Sequence, residues 1–293
     1  MKHPNPDMML AIAIGDAYGA GFEFVGKQFI KEHNTMDYYV QNPRYPDLLA
    51  GMYTDDTQMS IGVAEWLLDG TKEIHDVFVE VYKRDPRNGY SRRVQAALDA
   101  AESGCDFRKI LYGSHGPNSV GNGTAMRAVP LGVLPMFTLG YTAAIQADWT
   151  HGPFGIGPAI VTAAMSHFAL YESAPFSDLQ TFLFDNLCVR QDDPGVMHTI
   201  SPWHGGTVPC DGAETVRAVY SILMQATSLR DALDRAIRLG GDTDSVAAIT
   251  LGIASARLEN DLPANLIDEL EVGGKYGPEF LKQLGTKLMS KEW

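Results

Sequence analysis

Apolar residues recur every three to four positions along almost the whole chain, and the alternation of apolar and polar residues that marks strands is nearly absent. This periodicity predicts helices over residues 7–22, 57–68, 74–84, 91–102, 124–134 and 142–149, and again over 155–171, 177–187, 213–227, 229–239, 243–258 and 263–271. Alanine-rich stretches such as 246–256 read as helices buried on all sides against close neighbours. The 293 residues can bury a large core. No repeat of fixed period appears, and the Pro/Gly-rich pieces 115–123 and 194–212 are too short to be domain linkers. The expectation is one all-α domain over residues 1–293.

Two acidic clusters far apart in sequence, Thr54-Asp55-Asp56-Thr57 and Asp242-Thr243-Asp244-Ser245, each open one of these apolar segments. An Asp or Thr at a helix N-terminus ordinarily caps free N–H groups and complements the dipole, and either cluster alone fits that reading. A doubled carboxylate fits it less well, because neighbouring aspartates compete for the same donors and repel each other. Brought together by folding, the carboxylates raise one another's pKa or recruit cations, and hard oxygen donors of this kind suit Mg²⁺ or Mn²⁺.

Glycines flank these clusters. Gly240-Gly241 immediately precedes Asp242, and Gly121-Asn122-Gly123-Thr124 leads into Ala125-Met126-Arg127. Both can present backbone N–H groups to a phosphate, and both are also compatible with plain turns. Gly15 and Gly19 lie four apart in the first helix, where they permit close packing. Glu23 follows as a candidate proton-transfer group, and His151 stands in a loop where it either donates to a ligand or caps a helix.

The formal net charge of −13 argues against nucleic acid or an anionic membrane as partner. Cys105, Cys188 and Cys210 cannot form a fully paired framework, so no disulfide and a reducing, cytoplasmic setting are expected. No N-terminal leader is apparent and no apolar span approaches the length of about 20 residues needed to cross a bilayer. The spacing of Cys188, His198, His204 and Cys210 lacks the compact pairs of structural zinc sites. A monomer is the default expectation, since no coiled-coil signal is present.

In their order along the chain, Gly15-Asp16-Ala17-Tyr18-Gly19 with Glu23, Tyr53-Thr54-Asp55-Asp56-Thr57-Gln58-Met59, Gly121 to Arg127, Thr150-His151 and Gly240 to Ser245 resemble the ADP-ribosylglycohydrolase family. The resemblance implies a compact orthogonal helical bundle with two divalent cations, Mg²⁺ or Mn²⁺, held by Thr54, Asp55, Asp56, Asp242, Asp244 and Ser245. It implies hydrolysis of the glycosidic bond between ADP-ribose and a modified side chain, arginine before serine, on a protein or a small ADP-ribose conjugate. Glu23 and Asp56 would assist proton transfer. Gly121, Asn122, Gly123, Thr124, Met126, His151, Gly240 and Gly241 would hold the substrate. The chemistry is consistent, because cleaving such a bond develops positive charge at the anomeric carbon and calls for carboxylates nearby, while metals orient the sugar and activate water. No confident counterpart exists for an acidic residue that some bacterial members carry between the first acidic cluster and the glycine loop; Asp85, Asp99 and Asp106 are the candidates.

Two other readings compete. A non-catalytic member would bind ADP-ribose or metal without turnover, and the intact acidic clusters weigh against it. A terpene-synthase-like diphosphate enzyme would need a further carboxylate where this chain has Met59.

Overall fold

The computed structural model describes residues 1–113, 118–187, 196 and 199–293. These form fifteen α-helices and no β-strand among the described residues. The first ten are α1 (Met8–Ala20), α2 (Lys27–His33), α3 (Asp55–Asp69), α4 (Ile74–Arg84), α5 (Arg92–Ala100), α6 (Gly104–Tyr112), α7 (Gly123–Met126), α8 (Met136–His151), α9 (Pro153–Tyr171) and α10 (Leu179–Leu187). The remaining five are α11 (Gly212–Leu223), α12 (Leu229–Leu239), α13 (Thr243–Ala254), α14 (Asn265–Asp268) and α15 (Pro278–Ser290).

Helices α1 and α13 are buried along their full lengths, as their unbroken apolar composition requires. They form the most extensive helix pair in the molecule. A Cβ at Gly19 would lie 2.5 Å from Asp244 Cα, and one at Gly252 would lie 2.5 Å from an Ile12 side-chain carbon, so glycine permits the close approach. Around this pair pack α3 with α4, α8 with α9, and α11 with α12. Serine and aspartate caps fix the amphipathic outer helices: Ser91, Ser103, Asp211 and Ser228 each accept a backbone N–H at the start of α5, α6, α11 and α12.

The all-α expectation holds, and the differences are local. The span 124–134 is not one helix: α7 stops at Met126 and a 3₁₀ turn covers Val129–Val133, with Pro130 in its first turn. Helices α2, α6 and α15 fall outside the expected spans. In α15 the buried Leu281, Leu284 and Leu288 are helically spaced and Pro278 sits at its first turn, a signal present in the sequence. The expectation of no bilayer-length apolar span is corrected by α9. Its 19 residues are long and apolar enough by length and composition, and 83% of the apolar window is packed inside the bundle.

Candidate active site

The start of α3 is capped from another helix. Thr54 occupies the cap position, yet its own side chain caps nothing. Asp16, fully buried in the middle of α1, accepts instead the backbone N–H groups of Thr54 (3.0 Å) and Thr57 (2.9 Å) and the hydroxyls of Thr54 (2.8 Å) and Thr57 (2.6 Å). The orphan donors that a local aspartate would take are thereby satisfied, leaving Asp55 and Asp56 unspent. Asp56 is 2% exposed, and its Oδ1 has no hydrogen-bond partner. The Asp55 N–H donates to Asn88 O at 3.0 Å. Gly89 follows at φ +108°, where a Cβ would collide with the Asp55 carboxylate.

The start of α13 is held by backbone. The Val208 N–H donates to Gly240 O at 3.0 Å, the Asp242 N–H donates to Val208 O at 2.9 Å, and the Phe24 N–H donates to Gly241 O at 2.8 Å. Gly240 and Gly241 have φ of +68° and +85°, and a Cβ at Gly241 would lie 2.7 Å from Val208 N. What these glycines admit is therefore the chain's own Val208 segment. Asp242 likewise caps nothing with its side chain; Asn122 Nδ2 donates to its Oδ2 at 2.5 Å. Asp244 Oδ1 accepts the Ser245 N–H at 3.0 Å. Thr54, Asp55, Asp56, Asp242, Asp244 and Ser245 are all buried.

Both clusters lie against α1, where Asp16 bonds Thr54 and Gly19 packs on Asp244. Burial first, and the charge of Asp244 second, hold Asp55, Asp56 and Asp242 well above the usual carboxylate range. The same two causes push Glu23 up to about 9. Burial raises Asp16 to about 7, with Asp244 adding to the rise. Carboxylates so placed must be neutralised by protons or by cations. An all-oxygen donor set with an unpartnered, buried Asp56 Oδ1 fits hard divalent cations.

A cavity lies on each side of the acidic cluster. One, of about 420 Å³, is lined by Asp55, Met59, Gly121, Asn122, Gly123, Met126, Arg127, His151 and Cys210, among others. His151 ends α8 with Nδ1 2.8 Å from Thr150 Oγ1. Burial and the Arg127 charge push its pKa down to about 3, so the imidazole is neutral. Arg127 is 1% exposed and donates to Gln146 Oε1 (2.5 Å), Gln146 O (2.7 Å) and Thr150 Oγ1 (2.7 Å). Among the described residues no carboxylate lies within ion-pair distance of it, and burial lowers its pKa to about 9. The second cavity, also about 420 Å³, is lined by Glu23, Arg44, Tyr45, Asp47, Leu48, Thr54 and Asn88, with Gly89 and Tyr90 shared between the two.

Thr54, Asp55, Asp242 and Asp244 thus lie near Glu23, while Gly121, Asn122, Gly123, Met126 and His151 line the first cavity. Thr124, Gly240 and Gly241 line neither. Thr124 is fully buried and its hydroxyl donates to Gly155 O at 2.7 Å, so it shapes the loop. Of the candidates for the extra acidic residue, Asp85 bonds Arg87, Asp99 bonds Tyr82 and Asp106 bonds Ser103, and none lines either cavity. Cys188 and His198 lie outside the described residues, and exposed His204 has Glu214 3.9 Å away.

Sequence reasoning missed two supports. Asp16 looked like part of an apolar helix; its only signal is a charge where every neighbour is apolar. The second is a buried pair: Arg87 donates to Glu271 Oε1 (2.5 Å) and Oε2 (2.9 Å), lies 4.0 Å over the Tyr53 ring, and also bonds Asp85 (2.6 Å). Glu271 Oε1 in turn accepts the Tyr53 N–H at 2.9 Å, one residue before the first acidic cluster. Contacts across 184 positions leave no local pattern to read.

Comparison with known proteins agrees with this architecture. The family model for ADP-ribosylglycohydrolase matches residues 7–292. An uncharacterised protein of Archaeoglobus fulgidus is 28% identical, the alignment covering 98% of this chain and 96% of that protein. ADP-ribosylhydrolase ARH3 of Xenopus tropicalis is 25% identical over 88% of each chain. The ADP-ribosyl-[dinitrogen reductase] glycohydrolase of Rhodospirillum rubrum is 22% identical over 90% of this chain and 88% of its own. A solved structure described as an ADP-ribosylglycohydrolase-related protein complex superposes with a TM-score of 0.73 at 24% identity, covering 98% of this chain and 97% of that one, and shares the fold. With a match that takes in both acidic clusters and nearly every residue between the termini, this chain belongs to the ADP-ribosylglycohydrolase family and is an enzyme of that hydrolase class.

Proposed function

We propose that this enzyme hydrolyses the glycosidic bond between ADP-ribose and a protein side chain, arginine in preference to serine, and releases ADP-ribose. The observation that carries the reading is the meeting of two acidic helix starts against α1, one on Asp16 and the other on Gly19, with Asp56 Oδ1 buried and unpartnered. Thr54, Asp55, Asp56, Asp242, Asp244 and Ser245 would hold two divalent cations, Mg²⁺ or Mn²⁺. When bound, the cations supply Lewis acidity and fixed positive charge beside the ribose.

The protein's own groups divide the remaining work. Arg127, a buried cation without a carboxylate partner, and neutral His151 give the first cavity the character needed for a diphosphate and its ribose. The second cavity then faces the acceptor. Its Asp47 carboxylate and the ring of Tyr45 favour a guanidinium over a hydroxyl. As the bond from the anomeric carbon to the acceptor nitrogen breaks, water supplies the new oxygen and the acceptor nitrogen takes a proton. Glu23, whose carboxyl burial holds above the usual range in the cation-free protein, lines the second cavity, where it can deliver that proton. Asp56 is the second candidate for proton transfer.

Release of free ADP-ribose from arginine- and serine-modified substrates, measured in parallel with Mg²⁺, Mn²⁺ or EDTA, tests this. Metal-dependent release from the arginine substrate is expected. Release from serine alone would overturn the acceptor assignment, and release that persists in EDTA would overturn the metal requirement.

A further inference from the structure

Three segments meet at Gly241, and their register sets a second kind of donor beside the acidic cluster. Gly241 O accepts the Phe24 N–H (2.8 Å), and Val208 is bridged in parallel to Gly241. Two residues past Val208 comes Cys210, one past Gly241 comes Asp242, and one before Phe24 comes Glu23. A ligand atom from each of Glu23, Cys210 and Asp242 lies within 4.8 Å of the other two. Cys210 is a free, exposed thiol that lines the first cavity, and it bonds the Asp242 carboxylate.

A sulfur among oxygens changes which ion is preferred. Mg²⁺ takes oxygen donors and gains nothing from a thiol, whereas zinc-class ions bind thiolate at about 2.3 Å and carboxylate oxygen at about 2.0–2.2 Å. Those bond lengths place neighbouring donors about 3–4 Å apart, a small side-chain adjustment from the spacing here. Water completes the shell from the open side.

We propose that Glu23, Cys210 and Asp242 form a site for a thiophilic divalent ion of the Zn²⁺ or Cd²⁺ class, which competes with the hard cations for Asp242. On binding, the Cys210 sulfur forms the bond to the ion and its proton passes to water; no redox change is involved. The ion bridges the mouth of the first cavity and Glu23 of the second.

The test uses the intact protein without substrate, so it does not depend on the hydrolase reading. Cd²⁺ is titrated into the wild-type chain and the ultraviolet thiolate-to-metal absorption is followed. A saturable band is expected, retained in Cys105→Ser and Cys188→Ser and lost in Cys210→Ser. Glu23→Gln should keep the band while weakening Cd²⁺ binding by roughly tenfold or more. No band in the wild type, or a band that survives Cys210→Ser, overturns the site. Unchanged Cd²⁺ affinity in Glu23→Gln removes Glu23 from it.

Discussion

Helices α3 and α13 start with closely similar acidic sequences, and the protein builds the two starts by different means. At α3 a single side chain from another helix, Asp16, takes the N–H groups of Thr54 and Thr57 and the hydroxyls of both. At α13 the support is main chain, with Val208 threaded against Gly240 and Gly241 and Asn122 added on Asp242. Both solutions spare aspartates of the motif from capping: Asp56 Oδ1 has no partner and Asp242 makes no cap bond, while Asp244 alone takes a first-turn N–H, that of Ser245. A motif of this kind is therefore best recognised by buried carboxylates left over after capping, since an ordinary acidic N-terminus would spend them on its own backbone.

The comparison is broken most completely by removing one carboxylate from either start. Asp56→Asn and Asp242→Asn should each lower turnover by about a hundred- to a thousandfold or more, with the circular dichroism of the wild type retained. Equal activity in either variant would leave that start without a chemical role.

The support of the α3 start comes next. Arg87→Met leaves Glu271, whose side chain is 0% exposed, as a buried carboxylate without its cation, and should cost about 3–5 kcal/mol in denaturant unfolding. Glu271→Gln should cost less, because Arg87 keeps Asp85 as a carboxylate partner. The double substitution Arg87→Met with Glu271→Leu should recover much of it.

A smaller, more discriminating contrast sets Asp16→Ala against Asn122→Ala. Asp16→Ala strips several buried donors of their acceptor and should cost about 2–3 kcal/mol. Asn122→Ala removes one bond to Asp242 and should cost about 1 kcal/mol, because the backbone strap still holds α13. Equal losses would contradict the division between side-chain and main-chain support.

The pH dependence sharpens the same point. Asp16 has a folded-state pKa of about 7 against 3.8 in a free chain. Between those values the folded state binds more protons than the unfolded one, so the metal-free protein loses this contribution as pH rises from about 4 to about 7. Cations bound at the acidic cluster would replace the protons. The rise in melting temperature on adding Mg²⁺ should therefore grow across that window; a constant or shrinking rise would refute the neutralisation argument.

How much of this was legible in the sequence follows from the range of each interaction. The 3.6-residue apolar period is local, and it marked α4 and α12 to the residue and α1, α3 and α9 to within a few. It failed at 124–134, where Pro130 splits the segment, and at α2, where only Ile30 is buried and the pattern is too thin. The acidic clusters were legible as motifs because each is contiguous. The close approach of α1 and α13 was half legible, since Gly15 and Gly19 announced a tight contact without naming its partner. Asp16 and the Arg87–Glu271 pair were not, because their roles exist only once segments far apart in sequence have met. Gly241 carried the right signal, close backbone approach, and the object it meets is the chain's own Val208.

The central claim is that the two helix starts together hold two hard cations. Its most direct test is the number of Mn²⁺ ions bound per chain, counted by titration with electron paramagnetic resonance of the free ion, for the wild type and for Asp56→Asn and Asp242→Asn. The account predicts two ions in the wild type and weakened binding in both variants. A wild type that binds no Mn²⁺, or variants that bind two ions as tightly as the wild type, would contradict it.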